Sequence, residues 1–166
     1  MARIVAFPLP TVAAIKGHFT AAGGMLGLSF DVRVMSSDRG YFFVPAIDLG
    51  LVYSPGMTSL MMNKTPFSMH RDMIQFAKRF SAADLLSAHV VEKAVPGDEV
   101  FDTAWSLAVG LKAKGKNARY RDTMHKIKLN MYADTVRLLT DKDAFQGMGF
   151  ENKEKGVETA GQPAKL

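Results

Sequence analysis

"KGHFTAAGGMLGLSFD", residues 16–31, is the stretch that decides the fold of this chain. An apolar run ends at Gly17, small residues gather around the pair Gly23 and Gly24, and an apolar pattern resumes at once. Such crowding of small residues allows the backbone to come close to a neighbouring group. We interpret the stretch as a buried strand that turns into a helix starting near Ala21.

The composition is typical of one globular domain. The chain has 166 residues, of which 48% are hydrophobic and 22% charged, and it contains no cysteine. A domain of this size buries roughly 70% of the surface that its unfolded chain exposes. No apolar run reaches the eighteen residues of a membrane span, so we expect no membrane insertion. Without cysteine there are no disulfides or thiolate metal sites, and we expect no bound metal.

The formal net charge of +5 raises the question of nucleic-acid binding. Lysine and arginine are densest in "KAKGKNARYR", residues 112–121, which holds a single aromatic residue, Tyr120. No zinc or RNA-reading motif accompanies this run. A solvated helix face, or a patch for a phosphorylated small molecule, explains the same charges, so we do not expect a nucleic-acid partner.

The first half of the chain alternates strand and helix patterns. "TVAAIKG", residues 11–17, is apolar and partly β-branched, which predicts a strand. The helix from Ala21 has apolar residues at helical spacing, namely Met25, Leu28 and Val32. "GYFFVPAIDLG", residues 40–50, predicts another strand, and residues 51–64 predict a loop that passes into a short helix.

The second half is helical in pattern. Residues 68–80 place four apolar side chains on one helical face: Met69, Met73, Phe76 and Phe80. Ser81 followed by Asp84 predicts a helix start with a capping box. Residues 98–114 and 121–139 are amphipathic stretches with opposite charges at helical spacing. From residue 141 the periodicity fades, which predicts a mobile tail.

The ordered motifs carry a resemblance to a known family. Residues 10–61, "PTVAAIKGHFTAAGGMLGLSFDVRVMSSDRGYFFVPAIDLGLVYSPGMTSLM", resemble the signature region of the crotonase superfamily of enoyl-CoA hydratases and isomerases, and look closest to the peroxisomal enoyl-CoA isomerase branch. The resemblance continues in "FSAADLLSAHVVEKAVP", residues 80–96. It implies an α/β fold, namely the C-terminal half of a crotonase-like ββα spiral followed by a helical oligomerisation region. The implied division is a partial core at 1–97, helices at 98–140 and a tail at 141–166.

Two consequences concern assembly. Family members carry an additional N-terminal portion that supplies strands, much of the CoA-binding surface and a second oxyanion amide, and we expect this portion to be missing here. A sheet without it would expose an edge and an apolar face, which predicts self-association or poor solubility. The resemblance also implies trimers or pairs of trimers, formed through helices like those at 99–139.

The resemblance implies an oxyanion site at the start of the helix. The backbone N–H of Ala22 matches the donor that binds the thioester oxygen of an acyl-CoA, and Ala21, Gly23 and Gly24 keep side chains away from it. Chemistry supports the match, since the first N–H groups of a helix lack internal partners and one such donor stabilises an enolate by about 3 kcal/mol. Close packing of a small-residue helix on a sheet is the alternative reading.

The acid–base residues depart from the family pattern. Hydratases keep glutamates where this chain has Met25 and Ala46, and some isomerases use a glutamate where it has Ser54. Asp48 is our candidate base, since on a strand it would share a face with Ala46, although a turn-forming role fits it too. Tyr53 and Ser54 are candidate substrate-orienting hydroxyls.

These matches lead to one expected function and two alternatives. We expect an enoyl-CoA isomerase-type protein that shifts a β,γ double bond to α,β during fatty-acid β-oxidation, with no cofactor except the CoA of its substrate. A hydratase, or an inactive CoA-binding or oligomerisation remnant, remains an alternative. The last residues, Ala164, Lys165 and Leu166, are similar to the tripeptide read by the peroxisomal import receptor, so we expect a peroxisomal protein that binds this receptor.

Overall fold

The computed structural model describes residues 1–141, which form two small parallel sheets surrounded by helices. The strands are β1 (Val12–Ile15), β2 (Phe19–Thr20), β3 (Val32–Ser36), β4 (Phe42–Phe43) and β5 (Lys93–Val95). The helices are α1 (Ala2–Val5), α2 (Ala21–Leu28), α3 (Pro55–Lys64), α4 (Phe67–His70), α5 (Ala82–Ser87), α6 (Val100–Leu111), α7 (Ala118–Met131) and α8 (Ala133–Thr140). The predicted tail and the C-terminal tripeptide lie outside the described residues, apart from residue 141.

The larger sheet has the strand order β1-β3-β5, with every pair parallel. Parallel neighbours need a crossover connection, and α2 lies within the one that joins β1 to β3. Val34 and Met35 of β3 are fully buried, as expected of a central strand covered on both faces. The smaller sheet pairs β2 with β4, with Phe19 beside Phe42. This α/β architecture confirms the expected fold class.

One helix is shorter than its apolar spacing predicts. The spacing predicts Val32 on the face of the helix from Ala21, but the helix ends at Leu28 and Val32 begins β3. The amides of Asp31 and Val32 both donate to the carbonyl of Thr11, which draws the chain into the sheet beside β1. Sheet pairing therefore overrides a spacing that also fits a helix.

The strand predicted at 40–50 is also shorter than expected. Only Phe42–Phe43 pair as a strand, and Ile47–Leu49 form one turn of 3₁₀ helix. Pro45 has no N–H to continue a ladder, and Gly50, with a φ of 64°, ends the 3₁₀ turn in the left-handed region.

The helix predicted over residues 68–80 is interrupted. After α4, residues Arg71–Gln75 adopt a π-helical turn, and Phe76 is 64% exposed although a core position was expected. Met69 and Met73 are buried as predicted, whereas Phe80 reaches the core through an antiparallel bridge with Phe42. The extra residue in a π turn rotates the following side chains away from the helical face.

The C-terminal helices cover the sheet and α3. The capping box at the start of α5 is confirmed, since the Ser81 hydroxyl accepts from the Asp84 amide and the Asp84 carboxylate accepts from the Ser81 amide. The amphipathic stretch at 121–139 is divided at Tyr132 into α7 and α8. Helix α8 packs along α3, and α6 packs on β1 and β3. No helix within residues 1–141 is long and apolar enough to cross a membrane.

Candidate functional site

The site is built around the entry into α2. The chain leaves β2 at Thr20 and begins the helix at Ala21, whose φ of 48° lies in the left-handed region. A residue with a Cβ in this region carries a strain of about 1 kcal/mol, and strained residues cluster at functional sites.

The amide of Ala22 is open to a ligand. Thr20 makes no side-chain capping bond, and the first amides of a helix have no carbonyl partner within the helix. No hydrogen bond outside the regular elements uses the Ala22 amide within residues 1–141. Ala22 and Gly23 are both exposed. The N-terminal end of the helix also carries a partial positive charge, which favours an anionic oxygen at this point.

A cavity of about 230 Å³ opens beside this helix start. It is a small, mostly apolar space of the kind that holds the reactive part of a ligand. Its wall is formed by Ala21, Ala22, Met25, Pro45, Ala46, Leu49, Leu51, Val52, Tyr53 and Met57. The oxyanion donor expected at Ala22 therefore lies on the wall of an apolar cavity, together with Ala21.

The two positions that the family resemblance matches to hydratase glutamates, Met25 and Ala46, both lie on this wall. Met25 and Ala46 are buried, with 3% and 7% of their surface exposed. A carboxylate at either position would border the same cavity as Ala22. In this chain, both positions instead add apolar surface.

Among the described residues that line the cavity, Tyr53 has the only side chain that can gain or lose a proton. Its hydroxyl donates to the Val44 carbonyl at 2.6 Å and accepts from the Ala46 amide at 3.0 Å. Burial raises the pKa of the Tyr53 phenol, so it stays protonated at neutral pH. Tyr53 can shape the cavity, but its proton is already committed to a carbonyl.

Asp48 lies outside the cavity wall. We expected it on a strand, on the same face as Ala46, but it lies in the 3₁₀ turn between the lining residues Ala46 and Leu49. A strand repeats its face every two residues, whereas a 3₁₀ turn does so every three, so Leu49 takes the place predicted for Asp48. Asp48 is exposed to solvent.

Ser54 begins α3. Its hydroxyl accepts from the Met57 amide at 3.2 Å, and the residue is 2% exposed. The hydroxyl oxygen thus serves as a helix cap, and the side chain does not line the cavity. The structure thus brings Tyr53, Ala21 and Ala22 to the cavity wall, while Ser54 and Asp48 lie outside it.

The two glycines have different surroundings. Gly24 is buried, and a Cβ there would lie 3.0 Å from the Phe42 ring and 3.2 Å from the Phe19 carbonyl. A Cβ at Gly23 would meet nothing within 4 Å. Gly24 therefore lets the helix approach the small sheet closely, and Gly23 keeps the exposed side of the helix start clear.

Sequence reasoning missed most of the apolar wall. Leu49, Leu51, Val52 and Met57 line the cavity, and Leu49 and Val52 are more than 60% exposed. Such exposed apolar side chains around a cavity mark a surface for an apolar ligand. The apolar run in "IDLGLVY", residues 47–53, was the available signal. Within residues 1–141 no group of three or more His, Asp or Glu side chains is placed to hold a metal ion.

Comparison with known proteins gives consistent matches. The family described as "Enoyl-CoA hydratase/isomerase" matches residues 1–158. "Enoyl-CoA delta isomerase 3" from Arabidopsis thaliana is 27% identical over 142 residues, covering 84% of this chain and 58% of that protein. "Enoyl-CoA delta isomerase 2, peroxisomal" from the same plant is 29% identical over 117 residues, covering 70% and 49%.

A third relative carries a different activity in its name. "Bacillaene synthase decarboxylase PksI" from Bacillus subtilis (strain 168) is 31% identical over 112 residues, covering 66% of this chain and 44% of that protein. This chain thus spans about half the length of the curated relatives it matches.

Solved structures share the fold. A crystal structure of an enoyl-CoA hydratase/isomerase family protein from Pseudomonas syringae matches with a TM-score of 0.76 and 23% identity, over 89% of this chain and 63% of that one. The enoyl-CoA hydratase EchA3 from Mycobacterium ulcerans matches with a TM-score of 0.73 and 21% identity, over 83% and 58%.

Proposed function

The chain belongs to the enoyl-CoA hydratase/isomerase family, and from this premise we propose that it binds an acyl-CoA thioester and acts on it as an enoyl-CoA isomerase, shifting a β,γ double bond to the α,β position. The observation that supports this proposal is the unpartnered Ala22 amide on the wall of an apolar cavity. The isomerases among the relatives favour this reaction over others in the family.

The Ala22 amide would act on the thioester oxygen. When a base removes a proton from the α-carbon, negative charge moves onto that oxygen, and a hydrogen bond there strengthens as the charge develops. One such donor contributes about 3 kcal/mol to transition-state stabilisation. A bound acyl group would displace water from the apolar walls, which would strengthen the hydrogen bond further.

The mechanism also needs a general base. Isomerisation needs a group that takes a proton at the α-carbon and returns it at the γ-carbon. The wall offers no carboxylate within the described residues, so Asp48 on the neighbouring 3₁₀ turn would have to reach the substrate from outside the wall.

Incubating the purified chain with a β,γ-enoyl-CoA tests the isomerase proposal, and conjugated α,β-enoyl-CoA is the expected product. If Asp48 is the base, Asp48→Asn abolishes turnover, with Asp98→Asn as a matched exposed control. Unchanged turnover in Asp48→Asn would dismiss Asp48 as the base. An absence of product with intact folding and oligomer formation would favour the inactive remnant instead.

Hydration is a less favoured reaction here. Adding water across the double bond needs carboxylates to handle the water, and the two hydratase positions hold Met25 and Ala46 on an apolar wall. Little conversion of an α,β-enoyl-CoA to the 3-hydroxyacyl product is therefore expected.

A second candidate is decarboxylation, which the lack of a carboxylate on the wall favours. In an acyl thioester with a carboxylate on its α-carbon, the carbon–carbon bond to that carboxylate breaks and CO₂ leaves. The electron pair moves into the enolate, whose oxygen the Ala22 amide would bind, and water returns a proton to the α-carbon. This route needs no base, and one relative is named a decarboxylase. Release of CO₂ from malonyl-CoA, the simplest such thioester, would distinguish it from isomerisation.

Self-assembly, through the helices at 99–139, and a peroxisomal location are further parts of the proposal. The location can be argued from names and sequence. One relative carries the peroxisomal designation in its name, and the C-terminal Ala164, Lys165 and Leu166 are similar to an import signal. A fluorescent protein fused to the N-terminus should enter peroxisomes, and deletion of Leu166 should leave it in the cytosol. The proposed chemistry uses no cofactor beyond the CoA of the substrate.

A further inference from the structure

Lys64 is a lysine with unusual surroundings at the C-terminal end of α3. It is half-buried, and its Nζ lies 4.1 Å from the centre of the Tyr132 ring, between α7 and α8. Because α8 packs along α3, this lysine is enclosed at the junction of three helices. An aromatic face attracts a cation, but it supplies neither a hydrogen-bond acceptor nor a full counter-charge.

The carboxylates near this junction are paired with other cations. The Asp31 carboxylate accepts from Lys128 Nζ at 2.6 Å, and Glu92 Oε1 lies 3.8 Å from Arg33 Nη2. Within the part of the chain that the structure describes, Lys64 forms no ion pair. It therefore differs from Lys128, which is more deeply buried and is held by a carboxylate and by the Leu9 carbonyl.

These surroundings favour the neutral amine. Burial lowers the pKa of Lys64 to about 8. The cations Arg33 and Lys128 act in the same direction, while the carboxylates Asp31 and Glu92 oppose it, Asp31 more strongly than either cation acts. With such a pKa about a tenth of Lys64 side chains are neutral at pH 7, against less than about 0.1% for an ordinary lysine.

We propose that Lys64 is an acylation site, at which the neutral amine attacks the carbonyl carbon of a thioester. A carbon–nitrogen bond forms and the carbon–sulfur bond breaks. The sulfur leaves as a thiolate and takes up the proton lost by nitrogen, so the products are an amide on Lys64 and a free thiol. The proposed function enters only as the reason that acyl-CoA is the acyl donor at hand.

The site is separate from the cavity. Met57, which lines the cavity, precedes Lys64 by seven residues on α3, a distance of about 10 Å along a helix. Acylation at Lys64 therefore does not depend on the Ala22 amide. It removes the positive charge that lies over the Tyr132 ring.

The test measures acylation of each lysine in the full chain. The protein is incubated at pH 7 with acetyl-CoA or, separately, with the small thioester N,S-diacetylcysteamine, and occupancy is read by peptide mass spectrometry. Lys64 should react at least about tenfold faster than Lys126, an exposed lysine paired with Asp122. Lys128 should lag behind both, because Asp31 and Leu9 hold its amine.

The pH dependence separates a lowered pKa from simple accessibility. The acylation rate at Lys64 should level off near pH 9, while the rate at Lys126 keeps rising. The variant Lys64→Arg should lose the label at position 64 and keep the labels at the other lysines. Equal rates at Lys64 and Lys126, or parallel rises up to pH 11, would overturn the proposal. Labelling of Lys64 by the small thioester in protein that converts no enoyl-CoA would uphold the site while counting against the proposed function.

Discussion

At the scale of single residues, the site depends on one backbone amide rather than on a reactive side chain. The Ala22 amide is available because Ala21 adopts a left-handed conformation and Thr20 does not cap the helix. Neither condition needs a large or charged residue. This explains how a cavity wall without carboxylates can still present an oxyanion donor.

Replacing Ala22 by lactic acid, its hydroxy-acid analogue, removes the N–H and leaves the side chain in place. If the amide stabilises the enolate, turnover should fall by about 100- to 1,000-fold. Thermal unfolding should change little, because the amide has no partner in the folded chain. The same exchange at Ala118, in the first turn of α7, is the control, and full turnover in the Ala22 variant would contradict the proposed role.

Ser54→Ala tests whether this serine is a helix cap or a substrate ligand. Loss of the bond from the Met57 amide should lower the free energy of unfolding by about 1 kcal/mol, measured by chemical denaturation. Ser54→Thr keeps a hydroxyl and should retain most of the stability. Unchanged stability combined with lost turnover would instead show that Ser54 contacts the substrate.

At the scale of elements, α2 combines an open side with a tightly packed side. A Cβ at Gly23 would meet no atom within 4 Å, whereas one at Gly27 would overlap the buried Phe19 ring. The same ring contacts Phe42, at 4.8 Å between centroids. The helix can therefore lie close to the small sheet only where its residues lack side chains.

The two glycines should respond in opposite directions to the same change. Gly23→Ala should raise the free energy of unfolding by about 0.5–1 kcal/mol, since alanine favours a helix. Gly27→Ala should lower it by about 1–3 kcal/mol, because the added methyl must displace a packed ring. Equal effects in denaturant titrations would show that the packing of α2 is looser than described.

The start of α2 could be predicted from the sequence, but its end could not. Small residues after an apolar run indicated the strand-to-helix turn at Ala21 correctly. Met25, Leu28 and Val32 also fit one helical face, so the local pattern gave no reason to stop at Leu28. The stop comes from hydrogen bonds to Thr11, about twenty residues earlier, and such non-local pairing is not visible in local spacing.

At the scale of the whole molecule, the cavity wall comes from two distant segments. Residues 21–25 and 45–57 come together where β2 pairs with β4 and α2 contacts α3. The family resemblance identified the positions of Ala22, Met25 and Ala46, which all line the cavity. It did not identify the surrounding leucines and valine, because their exposure follows from the 3₁₀ turn that replaces the predicted strand.

A buried ion pair joins the C-terminal helices to the sheet. Lys128 on α7 donates to Asp31 before β3, and Asp31 accepts from the amide of Thr11 at 2.8 Å. Lys128→Met leaves a carboxylate partly buried without its counter-ion, and should cost about 3 kcal/mol of stability. Lys128→Met combined with Asp31→Asn should cost less than the sum of the two single variants in denaturation experiments. Strict additivity would mean that the two side chains do not interact.

Helix α6 carries an apolar stripe that we expect to be buried between subunits. Phe101, Trp105 and Val109 lie one turn apart, with 62%, 63% and 44% of their surfaces exposed. If the chain self-assembles as we propose, Trp105→Lys should shift it to smaller species in sedimentation velocity. Ser106→Lys, on the exposed side of the same helix, should not. Identical sedimentation of both variants and the wild type would place the interface elsewhere.

The double hydrogen bond of Tyr53 has a consequence for how this scaffold can change. By tying the Val44 carbonyl and the Ala46 amide to the segment that leads into α3, the phenol anchors the backbone at position 46 independently of the side chain there. Position 46 therefore borders the cavity that Ala22 lines, on backbone that does not depend on its own side chain for support. A carboxylate introduced by Ala46→Glu would start from this anchored backbone, so acid–base chemistry could be acquired by exchange of a single residue.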